Sequence, residues 1–232
     1  MEYKNVTLER DGKVAIVRLN APEVLNALSG DMVQELSHAV DAVISSDARC
    51  LLLTGEGRAF CAGANLSARG SSDALPPAGS VLETHYHPVM TKLRNMDIPM
   101  VSAVNGAAVG VGMSFAVMAD MVIAARSAYF LQAFTRIGLI PDAGGTYWMT
   151  RGMGAAKAMG AALFADKITA RQADDWGLIW EAVADADFSA HWQKRAAHLA
   201  MGPTMAYAKV KEAIRGSWDN SLDAQLGMKG RL

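Results

Sequence analysis

Hydrophobic and polar positions alternate with period two over residues 3–19, with Val6 and Leu8 before an Asp11-Gly12 turn signal and Val14, Ile16, Val17 and Leu19 after it. That pattern predicts a β-hairpin. After a polar loop, NAPEVLNAL at 20–28, Ser29 is placed to start a helix whose apolar face is Val33, Leu36, Val40 and Val43. The unbroken apolar run from Cys50 to Leu53 predicts a buried strand over 49–54. From Gly55 to Ser80 no period is visible and Gly, Ser and Pro accumulate, which predicts a long functional loop. Helical spacing returns over 81–96, then a strand over 100–104, a helix over 112–119 and a strand over 121–125. The rest predicts helices over 146–153, 155–164, 169–176, 186–201 and 203–215, with a short strand near 178–183.

Strands and helices therefore recur, but not in the even rhythm of a doubly wound parallel sheet. A spiral of β-β-α turns fits better: an α/β fold with a helical C-terminal part. The expected division is a core over residues 1–154 that holds the site, and a helical region over 155–232 acting as a lid or oligomer surface, with Gly154 as the soft boundary.

Composition narrows the function. Lys and Arg total 22 against 23 Asp and Glu, with no basic block, so nucleic acid is not an expected partner. The apolar runs are too short to span a bilayer and the charged start is no secretory signal, so a cytoplasmic protein without a membrane partner is expected. Cys50 and Cys61 have no metal-type spacing, and a reducing compartment suits them, although a disulfide stays open.

The chemistry concentrates between Asn105 and Gly145. Gly106, Gly110 and Gly112 feed an apolar helix, and such a turn leaves backbone N–H groups free to hold negative charge. IPDAGG then sets one carboxylate, Asp142, on a tight turn. Asp142 reads either as an acid/base or as a cap for the helix that starts near Gly145. Gly112-Met113-Ser114-Phe115-Ala116 nearly matches the turn that presents a nucleophilic serine, so an acyl hydrolase using Ser114 is a rival. His38, His191 and His198 are expected on solvated helix faces, whereas His85 and His87 are within reach of a pocket; paired with Asp142, either would serve a carboxylate-nucleophile mechanism.

Five ordered motifs carry a resemblance: LNALS (25–29), GRAFCAGANL (57–66), NGAAVGVGMSFAVMAD (105–120), GLIPDAGGT (138–146) and TARQADDWGLI (169–179). Together they resemble the enoyl-CoA hydratase/isomerase, or crotonase, family. The resemblance implies the crotonase spiral and a coenzyme A thioester whose carbonyl oxygen lies between two backbone N–H groups, at Ala62 and Val111. It also implies contacts to the coenzyme A part from Val24, Ala27, Ala62, Ala64, Asn65 and Leu66, with Gly110, Val111 and Phe134 around the acyl end. Coenzyme A enters as part of the substrate and no separate cofactor is expected. A homotrimer or a dimer of trimers is implied, as are final helices that close the pocket, of which a chain stopping at Leu232 has fewer than the family usually has.

Departures from the family pattern select the chemistry. The two glutamates of a hydratase of this family fall on Ser114 and Phe134, neither of which exchanges protons at neutral pH. Asp142 falls where isomerases of the family place a carboxylate, and the text around it resembles the phenylacetate-pathway isomerase branch. Phe134, Ile140 and Trp148 are the apolar neighbours expected to raise its pKa. An enoyl-CoA isomerase is thus expected, ahead of a hydratase-like lyase and of a thioester binder without turnover. Asn65 stands where the family commonly has aspartate, keeping the reach and losing the charge.

Overall fold

The computed structural model describes residues 3–65 and 82–228. The hairpin forms as strands β1 (Val6–Asp11) and β2 (Val14–Leu19), paired from Val6 with Leu19 to Asp11 with Val14. Its two loop residues are therefore Gly12 and Lys13, one position later than the turn signal, with Gly12 at a φ of 54°. Helix α1 (Gly30–Ile44) starts at Ser29, whose hydroxyl accepts from the Met32 N–H, and buries Met32, Val33, Leu36, Ala39, Val40 and Val43.

The chain then steps between two sheets. Strands β3 (Cys50–Gly55), β5 (Met100–Val104) and β7 (Met121–Ala125) lie side by side and parallel, with β2 and β1 on one flank and β10 (Glu181–Val183) on the other. After each of β3, β5 and β7 the chain makes a short strand in a second sheet: β4 (Ala59–Cys61), β6 (Ala107–Val109) and β8 (Tyr129–Leu131), closed by β9 (Ile168–Thr169). Helix α2 (His87–Asn95), entered through a π-helical turn at Leu82–Tyr86, precedes β5, and helix α3 (Val111–Val117) precedes β7. This is the β-β-α spiral. Every residue of β3 and β5 is buried, which is why these strands read as continuous apolar runs. All seven residues of α3 are buried too, between the sheets and the helices that follow.

Helix α4 (Gly145–Phe164) is interrupted at Gly154, whose φ of 76° breaks the helical path where two separate helices were expected. Helices α5 (Ala170–Asp175), α6 (Asp185–Met201), α7 (Thr204–Gly216) and α8 (Leu222–Gly227) complete the chain. The region beyond Gly154 also supplies β9 to the second sheet and β10 to the first, and its Ala158, Ile168 and Trp192 belong to the same buried core as Val17 and Leu52. Helix α7 is tied down by Asp120, which accepts the Met100 N–H at 2.8 Å and pairs with Lys211 at 2.8 Å and Arg215 at 2.6 Å. Among the described residues no helix is long and apolar enough to cross a membrane.

Candidate active site

A cavity of about 310 Å³ opens where the second sheet meets the start of α3, lined by the segments Ala62–Ala64 and Val109–Val111, by Tyr86, Phe134 and Leu139, and by Asp142. Six of the expected residues come together in it: Ala62, Ala64, Gly110, Val111, Phe134 and Asp142. Two backbone turns and the turn of Asp142 bring polar groups to it, and Arg136 lies in the same wall.

The first backbone turn follows β4. Loop 24–28 runs beside it in a fixed register: the Ala62 N–H donates to Leu25 O at 2.9 Å, the Leu28 N–H to Gly63 O at 2.7 Å, and the Asn65 N–H to Leu28 O at 2.9 Å. These bonds make Leu28 and Ala64 an isolated parallel bridge. In such a bridge the flanking residues carry the hydrogen bonds, so the N–H of Ala64 itself points to the opposite side. The expected donor at Ala62 is thereby corrected, because its amide is committed to Leu25, while the register turns the amide of Ala64 away from that loop. Val24 and Ala27 lie on the partner loop, Val24 42% exposed, and neither lines the cavity. Asn65 is half-buried beside them, and Leu66 lies outside the described residues.

Loop 24–28 owes its shape to Asn26, a residue the sequence reading passed over. Leu25 and Asn26 both have a φ of 56°, a left-handed pair that needs support. Asn26 is fully buried and gives it: Oδ1 accepts from the Ala21 N–H at 2.9 Å, and Nδ2 donates to Glu56 O at 2.9 Å and Ala59 O at 2.8 Å. The only visible signal was an asparagine between apolar residues in LNALS.

The second backbone turn joins β6 to α3. Gly110 adopts φ 55° and ψ −127°, open to glycine alone, with the Phe134 ring 3.6 Å from where a Cβ would stand. Its own N–H is used by Leu131 O at 2.8 Å, so the next free amide is that of Val111, the first residue of the helix. Gly112 packs α3 directly on β4, since a Cβ there would lie 2.5 Å from Cys61 O. Cys61 and Cys50 are free, buried thiols, and burial pushes both up to about 12, so neither supplies a thiolate.

Asp142 sits on the turn before α4, half-buried at the cavity wall. The capping position of that helix is Gly144, and the Gly145 N–H takes the Asp142 carbonyl oxygen at 2.8 Å, so the cap interaction there is made by backbone. Ser114 is completely buried inside α3, and its hydroxyl donates to the same carbonyl oxygen at 3.2 Å. That placement answers the nucleophile reading: the hydroxyl is spent on backbone and has no histidine beside it. His85 and His87 are exposed and do not line the cavity, whereas Tyr86 between them is buried and does. His191 is not on a solvated face but pairs with Glu181 at 2.8 Å, while His38 and His198 are exposed as expected. Of the apolar neighbours expected around Asp142, only Phe134 is in the wall; Ile140 is 81% exposed, and Ile137 and Leu139 take the place assigned to it. Among the described residues Asp142 is the one carboxylate of the cavity, and no group of three or more His, Cys, Asp or Glu could hold a metal.

Residues 9–232 match the model of the enoyl-CoA hydratase/isomerase family. The chain belongs to that family. It is 49% identical over 232 residues, all of this chain and 89% of the relative, to a probable enoyl-CoA hydratase of Rhodobacter capsulatus. It is 42% identical over 219 residues, 93% of this chain and 84% of the relative, to the 1,2-epoxyphenylacetyl-CoA isomerase of Escherichia coli. Among solved structures, an enoyl-CoA hydratase from Bacillus anthracis superposes with a TM-score of 0.91 at 27% identity, covering 98% of this chain and 89% of that one. As a member of the enoyl-CoA hydratase/isomerase family, the chain is an enzyme of CoA thioesters, and its spiral is the crotonase fold.

Proposed function

We propose that this protein is an enoyl-CoA isomerase in which the amides of Ala64 and Val111 hold the thioester oxygen and Asp142 moves a proton between two carbons of the acyl chain. The observation that carries this reading is a cavity wall that brings together Ala64, Val111 and, among the described residues, a single carboxylate. Removing a proton next to the thioester carbonyl puts negative charge on its oxygen, and two fixed N–H groups stabilise that enolate more than the ground state. Asp142 takes the proton from one carbon, the electron pair delocalises into the carbonyl, and the same carboxyl returns the proton at another position. The double bond shifts and the substrate's composition is unchanged.

Water addition across the double bond calls for a second group to activate the water, and the family's glutamate positions are held by buried Ser114 and by Phe134. The similarities to the Rhodobacter capsulatus and Bacillus anthracis proteins speak for a hydratase, and that reading is kept as the rival. The similarity to the Escherichia coli isomerase supports the isomerase reading and extends it to ring-epoxidised acyl groups, for which the apolar wall of Leu82, Tyr86, Phe134, Ile137 and Leu139 is suited. The coenzyme A part of the substrate runs along loop 24–28 and Ala62–Asn65, in the cytoplasm, with no further cofactor. Assembly as a trimer or a dimer of trimers is part of the proposal, supported by Met201, Met205, Trp218 and Leu222, which are 60 to 86% exposed.

The test is incubation of the purified protein with 3-enoyl-CoA and 2-enoyl-CoA thioesters, followed by mass. An isomerase shifts the double bond at constant mass; a product heavier by one water contradicts it, and no conversion of either substrate favours a binder.

A further inference from the structure

We propose that Gln132 is a positioning residue for Asp142, acting through a buried water that its amide shares with the Ser114 hydroxyl behind the turn 142–145. The proposal rests on the isomerase reading of the site. Gln132 follows β8 and is 1% exposed, yet neither its amide oxygen nor its amide nitrogen has a partner among the described residues. Burying an unsatisfied amide is costly, and folded proteins retain one where water or a ligand satisfies it.

Its surroundings indicate what does so. A Cβ built on Gly145 would lie 3.0 Å from Gln132 Nε2 and 3.1 Å from Ser114 Oγ. Both polar atoms therefore pack against the same side of the first residue of α4, no more than about 6 Å apart, and a water lying between them would reach both. The Ser114 hydroxyl gives its hydrogen to the Asp142 carbonyl oxygen, so its lone pairs remain to accept from a water. A water that accepts from Gln132 Nε2 and donates to Ser114 Oγ completes a chain from the amide to the backbone of Asp142.

The turn has reason to need that support. Ala143, inside it, has a φ of 48° and Gly144 a φ of 73°, and a left-handed alanine persists only where its surroundings hold it. Gln132 also leads directly into Ala133 and Phe134 of the cavity wall. The same amide thus fixes the carboxylate's turn relative to the wall against which the acyl chain lies.

The test compares Gln132→Met, similar in length without the amide, and Ser114→Ala, which removes the water's other partner, with Asp142→Asn and the unaltered enzyme on a 3-enoyl-CoA. Both support variants are expected to lower kcat by about ten- to a hundredfold with KM within about twofold, the signature of a misplaced group rather than a lost binding contact. A crystal structure of the unaltered enzyme is expected to show a water bonded to Gln132 and Ser114. Unchanged kcat in both variants, or direct protein partners for the Gln132 amide in that crystal, would overturn the proposal. If Gln132→Met does not fold, Ser114→Ala decides alone. Should Asp142→Asn keep full turnover, the isomerase reading itself falls; should it lose turnover while the support variants keep theirs, only the role of Gln132 falls.

Discussion

The two halves of the cavity are made of different material. On one side, the turns at Ala62–Asn65 and Gly110–Val111 offer backbone amides, aimed by strand register and by the start of a helix. On the other, Asp142, the one carboxylate of the cavity among the described residues, stands on a turn whose next residue is a left-handed alanine, and its carbonyl is held by Ser114 and Gly145. The amide half stabilises charge whatever side chains its residues carry, provided the backbone path is kept. The carboxylate half has no such redundancy. In the isomerase proposed above, the fold thus provides a general device for holding a thioester enolate, and the identity of one residue, with what positions it, selects the reaction.

The sharpest way to break this comparison is to remove one half at a time. Asp142→Asn keeps size and shape but ends proton transfer, so kcat for the double-bond shift is expected to fall on the order of a thousandfold while acyl-CoA binding, measured by calorimetry, changes little. Val111→Pro deletes one amide hydrogen at the first turn of a helix, where proline is accommodated. Its kcat is expected to fall about a hundredfold with the carboxylate intact. If a stable, folded Val111→Pro enzyme turned over at the normal rate, the amide half would have no part in the reaction.

Changes far from both halves should alter stability and leave the chemistry alone. Asp120→Ala strips the partner from Lys211, whose own pKa is lowered by burial against the pull of Asp120, and is expected to cost about 3 kcal/mol in denaturant unfolding with kcat per folded molecule unchanged. Glu181→Gln is the smallest effect. Burial pushes the Glu181 carboxyl up, but hydrogen bonds from His191 and Arg195 outweigh it and hold the group below its ordinary value of 4.5. A carboxyl with a depressed pKa contributes stability above its unfolded value, and that stability is lost as pH falls through the folded one. The variant should therefore be about 1 kcal/mol less stable than the unaltered protein near neutrality, and the gap should close in acid.

How far the sequence reveals these halves depends on length and register. The hairpin, α1 and the strands β3, β5 and β7 show clear periods or unbroken apolar runs because each is long enough to display one. Strands β4, β6 and β8 have three residues each, too few to show a period, and β4 and β6 lie inside glycine-rich text that reads as loop, so the second sheet is invisible until the fold pairs it. Val111 and Asp142 stand out by local grammar, a glycine turn entering a helix and a lone acid between apolar runs. Choosing Ala64 over Ala62 needs the pairing of Leu25 and Leu28 across the loop, which no spacing encodes. Tyr86 was hidden by its histidine neighbours, since only the π-helical turn at Leu82–Tyr86 decides which of the three residues faces inward. Gln132 carries no motif, and only its burial beside Ser114 gives it meaning.

The most direct measurement of the central claim is a crystal structure with an unreactive acyl-CoA thioester bound. The thioester oxygen is expected about 3 Å from the amide nitrogens of both Ala64 and Val111, with the Asp142 carboxylate over the acyl carbons next to it. A thioester oxygen lying away from those two amides, or a carboxylate turned from the acyl chain, would contradict it.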